Sequence, residues 1–473
     1  MRNLTLMTDL YQLTMMQSYF DNGMNERAVF DMFFRAKKNI EYAVFAGLEQ
    51  VVDYIRNLRF TEEDIDYLRS TKNFTEPFLD SLRNFRFTGN LYSVREGTIV
   101  FPDEPIVTVE APLPEAQFVE TALLNMINHQ TLIATKASRV MTAAGRGVME
   151  FGLRRAQGPD AGIYGARAAI IGGLESTSNV LAGQMFDVAV SGTHAHSYVM
   201  SFPDELSAFR AYAKSYPDNC LLLLDTYDTL KSGLPNALTV FDELAKSGHR
   251  PRGVRMDSGD LAYLSKKIRK ALDERGYPDA KICASGDLDE YSIRSLLSQG
   301  AKIDVWGVGT KLITSEDVPS LGGVYKLSAV KAGEEYQPRI KISENVVKIT
   351  NPGFKKLVRI YDRDNMAQAD LIMLKDEQID ESKPLTIFHP VETWKKTTFT
   401  EYRVKDLREQ VLKEGELVKP LPDFAQVVAF ARGEKASFYE EYTRLDNQQI
   451  YKVDLSEGLY EVKRALIDKY HNN

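Results

Sequence analysis

The strongest constraint on the fold is a series of short apolar segments that end in Gly, Asp or Ser and alternate with helical patterns. From Met149 onward several recur at intervals of roughly 30 residues, the spacing expected for β-α units around a parallel sheet. The segments are Val148–Gly152, Asp187–Gly192, Cys220–Asp225, Gly253–Asp257, Lys281–Ser285, Ile303–Gly307 and Gly323–Leu327. So many units, without a glycine-rich first turn of the dinucleotide-binding kind, favour an irregular (β/α) barrel over a doubly wound sheet.

The flanking regions predict a second α/β domain. A chain of 473 residues is too long for one ordinary domain. We expect an N-terminal α/β domain over residues 1–130, completed by C-terminal segments, and a barrel-like catalytic domain over 131–332. Residues 333–473 should add strands and helices that pack on both. Their short strand patterns are Pro338–Ile342, Val346–Thr350 and Lys356–Tyr361.

Composition excludes several classes of protein. The net charge of −7 and the pI near 5.6 argue against nucleic acid as a bulk electrostatic partner. Two cysteines, Cys220 and Cys283, exclude a disulfide scaffold and a multi-cysteine zinc site. The N-terminus lacks a signal-peptide layout, and no apolar run reaches membrane-spanning length. We therefore expect a cytoplasmic protein with no membrane partner.

The segment Ser191–Phe202 concentrates chemistry at one predicted strand end. It contains two of the six histidines in the chain, His194 and His196. Gly192 can take backbone angles closed to other residues, and Thr193 offers a hydroxyl at the strand end. An imidazole in a tight turn that follows a strand end is typical of the active sites of barrel enzymes.

The residues alone leave three interpretations of His196. It could be a hydrogen-bonding core residue, or a metal ligand paired with His194, as in some metal-dependent hydrolases. It could also be a nucleophile or acid/base group, since neutral imidazole can accept a phosphoryl group on nitrogen. Alternation along an extended segment puts both histidines on one face, so geometry does not choose between the last two.

Other strand ends supply carboxylates, arginines and glycine-containing turns. Glycine turns before helix starts bind phosphate, carboxylates suit a ribose diol or hydrated Mg²⁺, and arginine grips planar carboxylates or phosphates. Any one Asp could simply be a helix cap, but recurrence at successive strand ends favours a phosphorylated sugar and a second anionic ligand. The groups are Glu150 with Arg154 and Arg155, Ser176–Ser178, Asp225 and Asp228, Arg255–Asp260, Ser285–Asp287, and Gly307–Lys311.

Seven motifs, colinear over the chain to about residue 330, resemble the nicotinate phosphoribosyltransferase family. They are Thr8–Met15, Phe33–Arg35, Glu150–Arg155, Ser176–Asn179, Gly192–Ser197, Val254–Asp260 and Gly307–Thr310. The resemblance implies synthesis of nicotinate mononucleotide and pyrophosphate from nicotinate and 5-phosphoribosyl 1-pyrophosphate, the first step of NAD salvage from nicotinate. It also implies Mg²⁺, coupling to ATP hydrolysis through a phosphohistidine, and a homodimer with shared active sites. Some relatives hold zinc through additional cysteines, which this chain lacks, so we expect no structural zinc.

The same resemblance assigns roles residue by residue. His196 would be the phosphorylated histidine, and nicotinate would contact Tyr11 of the partner subunit, Thr193, Arg255 and Ser178. Asp257 would hold the ribose hydroxyls. The phosphates would meet Arg35 across the dimer, Arg139, Ser285, Gly286, Gly307, Gly309 and Thr310. Asp225 and Asp228 would lie near the Mg²⁺–pyrophosphate.

Three alternatives follow from the sequence. The first is a metal-dependent hydrolase that uses His194 and His196. The second is a quinolinate-using relative, which would want more cations around the pocket and no phosphohistidine. The third is a non-catalytic ligand-binding protein on the same scaffold.

Overall fold

The structure of the protein is a computed structural model that describes residues 2–37, 40–344, 348–392 and 394–471. The chain divides into two compact units. Unit 1 comprises Met1–Leu132 and Ser320–Asn473, and unit 2 comprises Ile133–Pro319. The boundaries predicted from the sequence lie after residues 130 and 332. Both ends of the chain thus belong to unit 1, and the intervening segment forms unit 2.

The structure has the following strands and helices, numbered in chain order. The strands are β1 Arg27–Phe34, β2 Ala43–Val44, β3 Asn90–Val94, β4 Ile99–Val100, β5 Val107–Pro112, β6 Val148–Glu150, β7 Ser176–Thr177, β8 Leu221–Leu223, β9 Gly253–Met256, β10 Lys281–Ala284, β11 Val305–Val308, β12 Gly323–Ala332, β13 Glu335–Pro338, β14 Lys355–Tyr361, β15 Ala367–Leu374, β16 Leu385–Phe388, β17 Lys396–Phe399, β18 Arg403–Asp406, β19 Arg408–Lys413, β20 Glu416–Leu417 and β21 Lys452–Leu455. The helices are α1 Leu10–Asp21, α2 Leu48–Arg56, α3 Glu62–Ser70, α4 Glu76–Leu82, α5 Leu113–Phe118, α6 Glu120–Ala144, α7 Pro159–Ile171, α8 Val180–Phe186, α9 His196–Met200, α10 Glu205–Ser215, α11 Leu234–Lys246, α12 Leu261–Glu274, α13 Glu290–Ser298, α14 Thr310–Ile313, α15 Phe424–Glu434, α16 Glu440–Thr443 and α17 Glu457–His471.

Unit 2 is built on a parallel sheet with the strand order β7-β6-β11-β10-β9-β8. The paired side chains of Val254 in β9 and Ile282 in β10 are fully buried on one face of the sheet, and Cys283 is buried on the other face. Burial on both faces is typical of parallel sheets covered by helices, and it explains the continuous apolar runs in the sequence. The predicted β-α organisation of this region is confirmed.

Closure of this sheet into a barrel stays a prediction. Beyond β7, a parallel bridge joins Thr177 to Val190, so the Asp187–Gly192 segment contributes one bridge and not the predicted strand. Among the backbone pairings of the described residues, none joins Val190 to β8 at the other edge.

Helix α11 of unit 2 packs through one apolar face. In α11, the buried residues Leu234, Ala237, Val240, Phe241 and Leu244 recur three or four positions apart. This spacing places them on one side of the helix, where their burial stabilises its packing.

Unit 1 contains a seven-stranded sheet and a six-stranded sheet. One has the order β13-β12-β1-β5-β3-β19-β20, and the other has the order β17-β16-β21-β15-β14-β18. The Gly323–Leu327 segment, interpreted from sequence as a β-α strand, lies in β12, which pairs antiparallel with β1. That prediction is wrong, because an isolated apolar run carries no information about the direction of its partner.

Two smaller predictions in unit 1 have definite outcomes. The capping box Thr61–Asp64 is confirmed at the start of α3. The helix predicted from Glu115 to about Gly145 is divided between α5 and α6, which are separated at Val119. The predicted strand Val346–Thr350 includes residues 346 and 347, which lie outside the described residues. No helix among the described residues combines the length and the apolar character needed to span a membrane.

Candidate active site

The carboxyl ends of three neighbouring strands in unit 2 bring polar side chains to one edge of the sheet. Asp225 follows β8, Asp257 follows β9 and Ser285 follows β10. Because these strands are adjacent and parallel, the residues that follow them lie side by side. This edge is the one that the sequence predicts as the site.

Arg255 lies at the centre of this edge, and its side chain is 16% exposed. Its Nε donates to Oγ of Ser285 at 2.8 Å. Nη1 donates to Oγ1 of Thr193 at 3.3 Å, and Nη2 donates to Oδ1 of Asp257 at 2.9 Å. The guanidinium carbon is 5.6 Å from the centre of the Phe151 ring. These contacts orient the guanidinium, and each Nη keeps a second N–H that could meet a planar anion.

Asp257 is held as a carboxylate. Its Oδ1 accepts hydrogen bonds from the hydroxyl of Ser285 and from Arg255. Partial burial raises the pKa of Asp257, but these hydrogen bonds and the nearby positive charge outweigh burial, so the pKa lies below its ordinary value. None of the described residues donates to Oδ2. That oxygen can therefore accept a hydrogen bond from a hydroxyl of a ligand.

Two glycines allow close packing around this ion pair. Gly286 has a φ of +120°, and a Cβ there would lie 2.9 Å from the backbone oxygen of Asp257. A Cβ on Gly307 would lie 2.6 Å from the Phe151 ring and 3.2 Å from Cβ of Ser285. Glycine is therefore needed at both positions to let β10, β11 and Phe151 approach one another.

Gly192 does not have the role that the sequence analysis gives it. Its backbone lies outside the left-handed region, and an added Cβ would meet no atom within 4 Å. The expected requirement for glycine is wrong at this position. The hydroxyl of the next residue, Thr193, does contact Arg255, so the segment still contributes to the edge.

His196 begins helix α9, and its ring lies between a hydroxyl and a carboxylate. Nδ1 is 3.1 Å from Oγ1 of Thr226, and Nε2 is 4.0 Å from Oδ1 of Asp225. The side chain is 41% exposed. The imidazole is thus both oriented and accessible, as a nitrogen nucleophile requires.

Asp225 connects His196 to the Arg255 edge, and its side chain is only 3% exposed. Its Oδ2 accepts hydrogen bonds from the backbone N–H of Asp257 at 3.1 Å and from the hydroxyl of Ser258 at 2.5 Å. Oδ1 is buried and has no hydrogen-bond partner in the part of the chain that the structure describes. Since a buried carboxylate oxygen without a partner costs free energy, Oδ1 is suited to contact a metal ion or a cationic His196.

Asp228 has a local structural role. Its Oδ1 accepts hydrogen bonds from the backbone N–H groups of Lys231 at 2.8 Å and Leu230 at 3.1 Å. These bonds lower the pKa of Asp228 and cap the helical turn Thr229–Gly233. Within the described residues, no group of three or more His, Cys, Asp or Glu side chains could hold a metal ion. Mg²⁺ is often bound by one or two carboxylates together with substrate phosphates, an arrangement that Asp225 fits. The metal role of Asp228 stays a prediction.

His194 lies in surroundings that differ from those of His196. Its ring is buried, with the ring centres of Tyr212 at 4.7 Å and Tyr198 at 5.4 Å. Nε2 accepts a hydrogen bond from the backbone N–H of Leu223 in β8 at 3.3 Å. Burial lowers the pKa of His194 to about 4, so the ring is neutral at pH 7. These contacts favour a structural role for His194 and give no support to a metal site shared with His196.

Comparisons with known proteins identify the family. Three family models match in succession: the nicotinate phosphoribosyltransferase N-terminal domain over residues 6–128, the nicotinate phosphoribosyltransferase family over 147–364, and its C-terminal domain over 354–463. The nicotinate phosphoribosyltransferase of Bacillus subtilis (strain 168) is 49% identical over 98% of this chain and 95% of its own length. The chain belongs to the nicotinate phosphoribosyltransferase family.

Solved structures agree with this assignment of the nicotinate phosphoribosyltransferase fold. The crystal structure of human nicotinic acid phosphoribosyltransferase has a TM-score of 0.86 and 32% sequence identity, and the match covers 97% of this chain and 99% of that chain. Nicotinate-nucleotide pyrophosphorylase from Pyrococcus furiosus has a TM-score of 0.70 at 21% identity, with 92% and 96% covered. The second likeness concerns the fold alone.

Two further residues that the resemblance to nicotinate phosphoribosyltransferase implies have definite contacts in unit 2. Ser178 is half-buried, and its backbone N–H donates to the carbonyl of Glu150 at 2.9 Å. Arg139 is buried, and its Nε donates to Oε1 of Glu290 at 2.9 Å. A phosphate contact by Arg139 stays a prediction, and Glu290 would then share the guanidinium with the ligand.

The predicted phosphate turn after β11 lies close to Phe151. Gly309 precedes α14, which begins at Thr310, and a Cβ on Gly309 would lie 3.1 Å from the backbone oxygen of Phe151. This close approach connects Gly309 with Gly307, whose neighbour is the Phe151 ring. The glycine turns and the Arg255 edge therefore share one aromatic neighbour.

Tyr11 and Arg35 belong to unit 1. Tyr11 lies on α1 with an exposed side chain, and Arg35 follows β1. No hydrogen bond or ion pair joins Arg35 to another described residue, but its charge acts on the carboxyl of Asp103, where it opposes the rise in pKa that burial causes. Their roles in a nicotinate phosphoribosyltransferase site shared between subunits stay predictions.

Two contributors to the site were not predicted from the sequence: Phe151, which lies beside Arg255, and Thr226, which contacts His196. Phe151 lies inside a motif that the family resemblance uses, and Thr226 follows Asp225 directly. Their positions next to predicted strand ends are the signal that could have identified them. Ser258, one of the predicted strand-end residues, donates to Asp225.

Proposed function

We propose that this protein transfers the 5-phosphoribosyl group from 5-phosphoribosyl 1-pyrophosphate to nicotinate, giving nicotinate mononucleotide and pyrophosphate, the first step of NAD salvage from nicotinate. One observation carries the proposal: Arg255 is oriented by Thr193, Ser285 and Asp257 and retains free N–H groups. Membership of the nicotinate phosphoribosyltransferase family supports the same reaction.

The proposed nicotinate site uses Arg255 as the partner of the carboxylate. A guanidinium forms paired hydrogen bonds with a planar carboxylate, whereas an uncharged amide lacks the second anionic oxygen. Thr193 and the neutral Ser178 would complete the pocket, and Tyr11 of the partner subunit would stack on the pyridine ring. This pocket would discriminate against nicotinamide, because an uncharged amide would leave the positive charge of Arg255 without an anionic partner in the ligand.

Asp257 and the glycine turns would bind the phosphoribosyl group. The free Oδ2 of Asp257 can accept a hydrogen bond from a ribose hydroxyl. Backbone N–H groups of the turns at Gly286 and at Gly309–Thr310 would meet the 5′-phosphate, an arrangement that favours anions. The N–H of Ser285 already donates to the carbonyl of Met256, and Gly307 lies within β11. Arg139, and Arg35 of the partner subunit, would face the remaining phosphates.

The transfer breaks the bond between ribose C1 and the pyrophosphate oxygen and forms a bond from C1 to the pyridine nitrogen. The electron pair of the broken bond leaves with pyrophosphate, and the lone pair of the pyridine nitrogen forms the new bond. No general base is required, because that nitrogen carries no proton. Arginine side chains near the departing oxygens would stabilise the negative charge that develops there.

Mg²⁺ and ATP belong to the same proposal. Asp225, with its unpartnered Oδ1, would hold Mg²⁺ together with the pyrophosphate, and Asp228 is a second candidate despite its capping bonds. When bound, Mg²⁺ neutralises phosphate charge. ATP would transfer its γ-phosphoryl group to a ring nitrogen of His196 and release ADP. Asp225 and Thr226 would orient the ring, and the phosphohistidine is later hydrolysed.

Three structural features complete the proposal. The parallel sheet of unit 2 would close into an irregular barrel; the hydrogen bond from Leu223 in β8 to His194 supports this, because His194 follows the Val190 bridge. The protein would form a homodimer, which is supported by exposed apolar side chains on α1, among them Leu10, Tyr11 and Met15. It would act in the cytoplasm.

A product assay tests the proposed function. Purified protein is incubated with 5-phosphoribosyl 1-pyrophosphate, Mg²⁺ and either nicotinate, nicotinamide or quinolinate, with and without ATP. We expect mononucleotide from nicotinate only, with ATP stimulation and release of ADP. Nicotinate mononucleotide from quinolinate with release of CO₂, or product from nicotinamide, would contradict the substrate assignment.

The role of His196 needs a matched pair of variants. His196→Ala should abolish both ATP hydrolysis and ATP stimulation while some transfer remains. His249→Ala changes another accessible histidine of unit 2, which contacts Asp218, and should retain both. ATP stimulation that persists in His196→Ala would exclude the phosphohistidine.

A further inference from the structure

Unit 1 contains a large cavity that the proposed function does not use. Its volume is about 800 Å³. The α15 pocket, as we name it, is lined by the start of α2, the end of β3 with residues 95–96, β19, residues 419–422 and the face of α15 around Val427 and Phe430. A volume of this size accommodates a small organic ligand with more than one ring.

Arg95 is a cation without a carboxylate partner in this pocket. Its guanidinium carbon lies 4.3 Å above the centre of the Phe430 ring, and its Nη2 donates to the backbone oxygen of Gln426 at 3.3 Å. Nε is buried and has no hydrogen-bond partner among the residues that the structure describes. A guanidinium held against an aromatic ring with unused donors is suited to bind an anion.

The other charged groups of the pocket have partners of their own. Oε1 of Glu96 accepts hydrogen bonds from the backbone N–H groups of Gly47 at 2.6 Å and Leu48 at 3.2 Å. Glu409 forms an ion pair with Lys419. Neither carboxylate pairs with Arg95 in the described part of the chain. The positive charge of Arg95 is thus available to a ligand.

The remaining walls are mainly apolar. Leu48, Val94, Val411 and Val427 are buried side chains that line the pocket, and Leu421 adds a further apolar wall. Apolar walls and the Phe430 ring favour a flat ring over a fully hydrated ion such as free phosphate. Glu49, which is exposed at the start of α2, supplies a carboxylate that can accept hydrogen bonds from ligand hydroxyl groups.

We infer that the α15 pocket binds a nucleotide-sized anion that carries one flat heteroaromatic ring. The ring lies against the apolar walls, the anionic group meets Arg95, and hydroxyl groups of the ligand face Glu49. All the residues of this pocket belong to unit 1, whereas the Arg255 edge belongs to unit 2. None of the residues that line this pocket is among those to which the transfer reaction is assigned.

Photolabelling of the full-length protein with 8-azido-AMP, followed by peptide mapping, tests this inference. We expect labelling of peptides that contain residues 419–434, saturable by AMP. Adenosine, which lacks the anion, and inorganic phosphate, which lacks the ring, should compete at least about 10-fold less well. Label found only in unit 2, or phosphate competing as well as AMP, would overturn the inference.

Variants separate this site from the transfer reaction. Arg95→Gln should weaken labelling of residues 419–434 at least about 10-fold, because the cationic partner of the anion is lost. Lys375→Gln is the matched control, since Lys375 also lies over a Phe ring, Phe354 at 4.2 Å, but does not line the pocket. Both variants should retain the basal transfer activity.

The labelling experiments and the transfer assay can fail independently, so failure of the pocket proposal can be distinguished from failure of the proposed function. Unchanged labelling in Arg95→Gln would overturn the pocket, whatever the transfer assay shows. If Arg95→Gln fails to fold in a circular-dichroism melt, the wild-type peptide map and the three competitors decide. Pocket labelling in a protein without transfer activity would support the pocket while contradicting the proposed function.

Discussion

Nη2 of Arg255 lies 2.9 Å from Oδ1 of Asp257, two residues further along the same strand direction. Alternate residues of an extended segment point to the same side, so this ion pair is a direct consequence of the Arg-Met-Asp sequence after Val254. The hydroxyl of Ser285 contacts both members. Arg255, proposed to bind nicotinate, and Asp257, proposed to bind ribose, are therefore joined by hydrogen bonds to each other and to Ser285.

We expect Arg255→Lys to lower kcat/KM for nicotinate by about 100-fold, since hydrogen bonds to charged groups contribute about 1.5–3 kcal/mol and a lysine lacks the planar fork. Steady-state assays with nicotinate and with nicotinamide measure the effect and the loss of discrimination. Arg250→Lys is the control, because Arg250 is exposed and, among the described residues, its ion pair is with the exposed Asp279. A change of less than about twofold in Arg255→Lys would contradict the carboxylate role.

A second prediction concerns the close approach at Gly286. Gly286→Ala should lower kcat/KM for 5-phosphoribosyl 1-pyrophosphate by at least about 10-fold, because a Cβ would press on the backbone of Asp257 in a backbone region that disfavours side chains. Gly192→Ala is the matched control, as its Cβ would meet no atom within 4 Å. Equal effects of the two substitutions would show that the spacing at Gly286 is unimportant.

These residues show what could be predicted from the sequence. The apolar runs that end at Asp225, Asp257 and Ser285 indicate parallel strands, and parallel strands necessarily bring their carboxyl ends together. The contacts among Arg255, Asp257 and Ser285 follow from that topology. The site edge was therefore predictable from periodicity and turn residues, before any contact was known.

Other features depend on tertiary structure and could not be predicted. The Gly323–Leu327 run has the same apolar character as the β-α strands but pairs with β1, since its partner is chosen by residues far away in the chain. Asp228 has a carboxylate that could bind a metal ion, but in the structure this carboxylate caps a helical turn. His194 alternates with His196, yet α9 begins at His196 and the ring of His194 packs among tyrosines.

A third prediction distinguishes the two aspartates. Asp225→Asn should raise the Mg²⁺ concentration for half-maximal activity at least about 10-fold, since it removes the negative charge from a buried site with an unpartnered oxygen. Asp228→Ala should instead lower the midpoint of thermal unfolding by a few degrees, because two backbone N–H groups lose their acceptor. Titration of activity with Mg²⁺ and a thermal melt of each variant provide the measurements.

The opposite pattern is equally informative. An unchanged Mg²⁺ requirement in Asp225→Asn would exclude Asp225 as the metal contact. A raised requirement in Asp228→Ala without loss of thermal stability would assign the metal to Asp228 and show that its capping bonds are dispensable. Ser207→Ala, which removes a hydroxyl contact to Asp204, the N-cap residue that precedes α10, controls for general effects of altered helix caps.

The last prediction concerns the pH dependence of stability. Burial lowers the pKa of His194 from 6.5 to about 4 in the folded protein, so between these values the unfolded chain binds the proton and the folded chain does not. The contribution of neutral His194 is thus fully present above about pH 6.5 and is lost as the pH falls toward 4. At 1.36 kcal/mol per pH unit, the free energy of unfolding should fall by up to about 2 kcal/mol between pH 6.5 and about pH 5 because of this residue.

Urea unfolding at about pH 7.5 and about pH 5 measures this difference in three proteins. His194→Gln keeps an acceptor for the backbone N–H of Leu223 but does not titrate, so its pH dependence should be weaker than that of the wild type by about 2 kcal/mol. His249→Gln removes an accessible histidine that contacts Asp218 and should retain the wild-type difference. Equal pH dependence in the wild type and His194→Gln would mean that the pKa of His194 is the same in the folded and unfolded protein, which would contradict its lowering by burial.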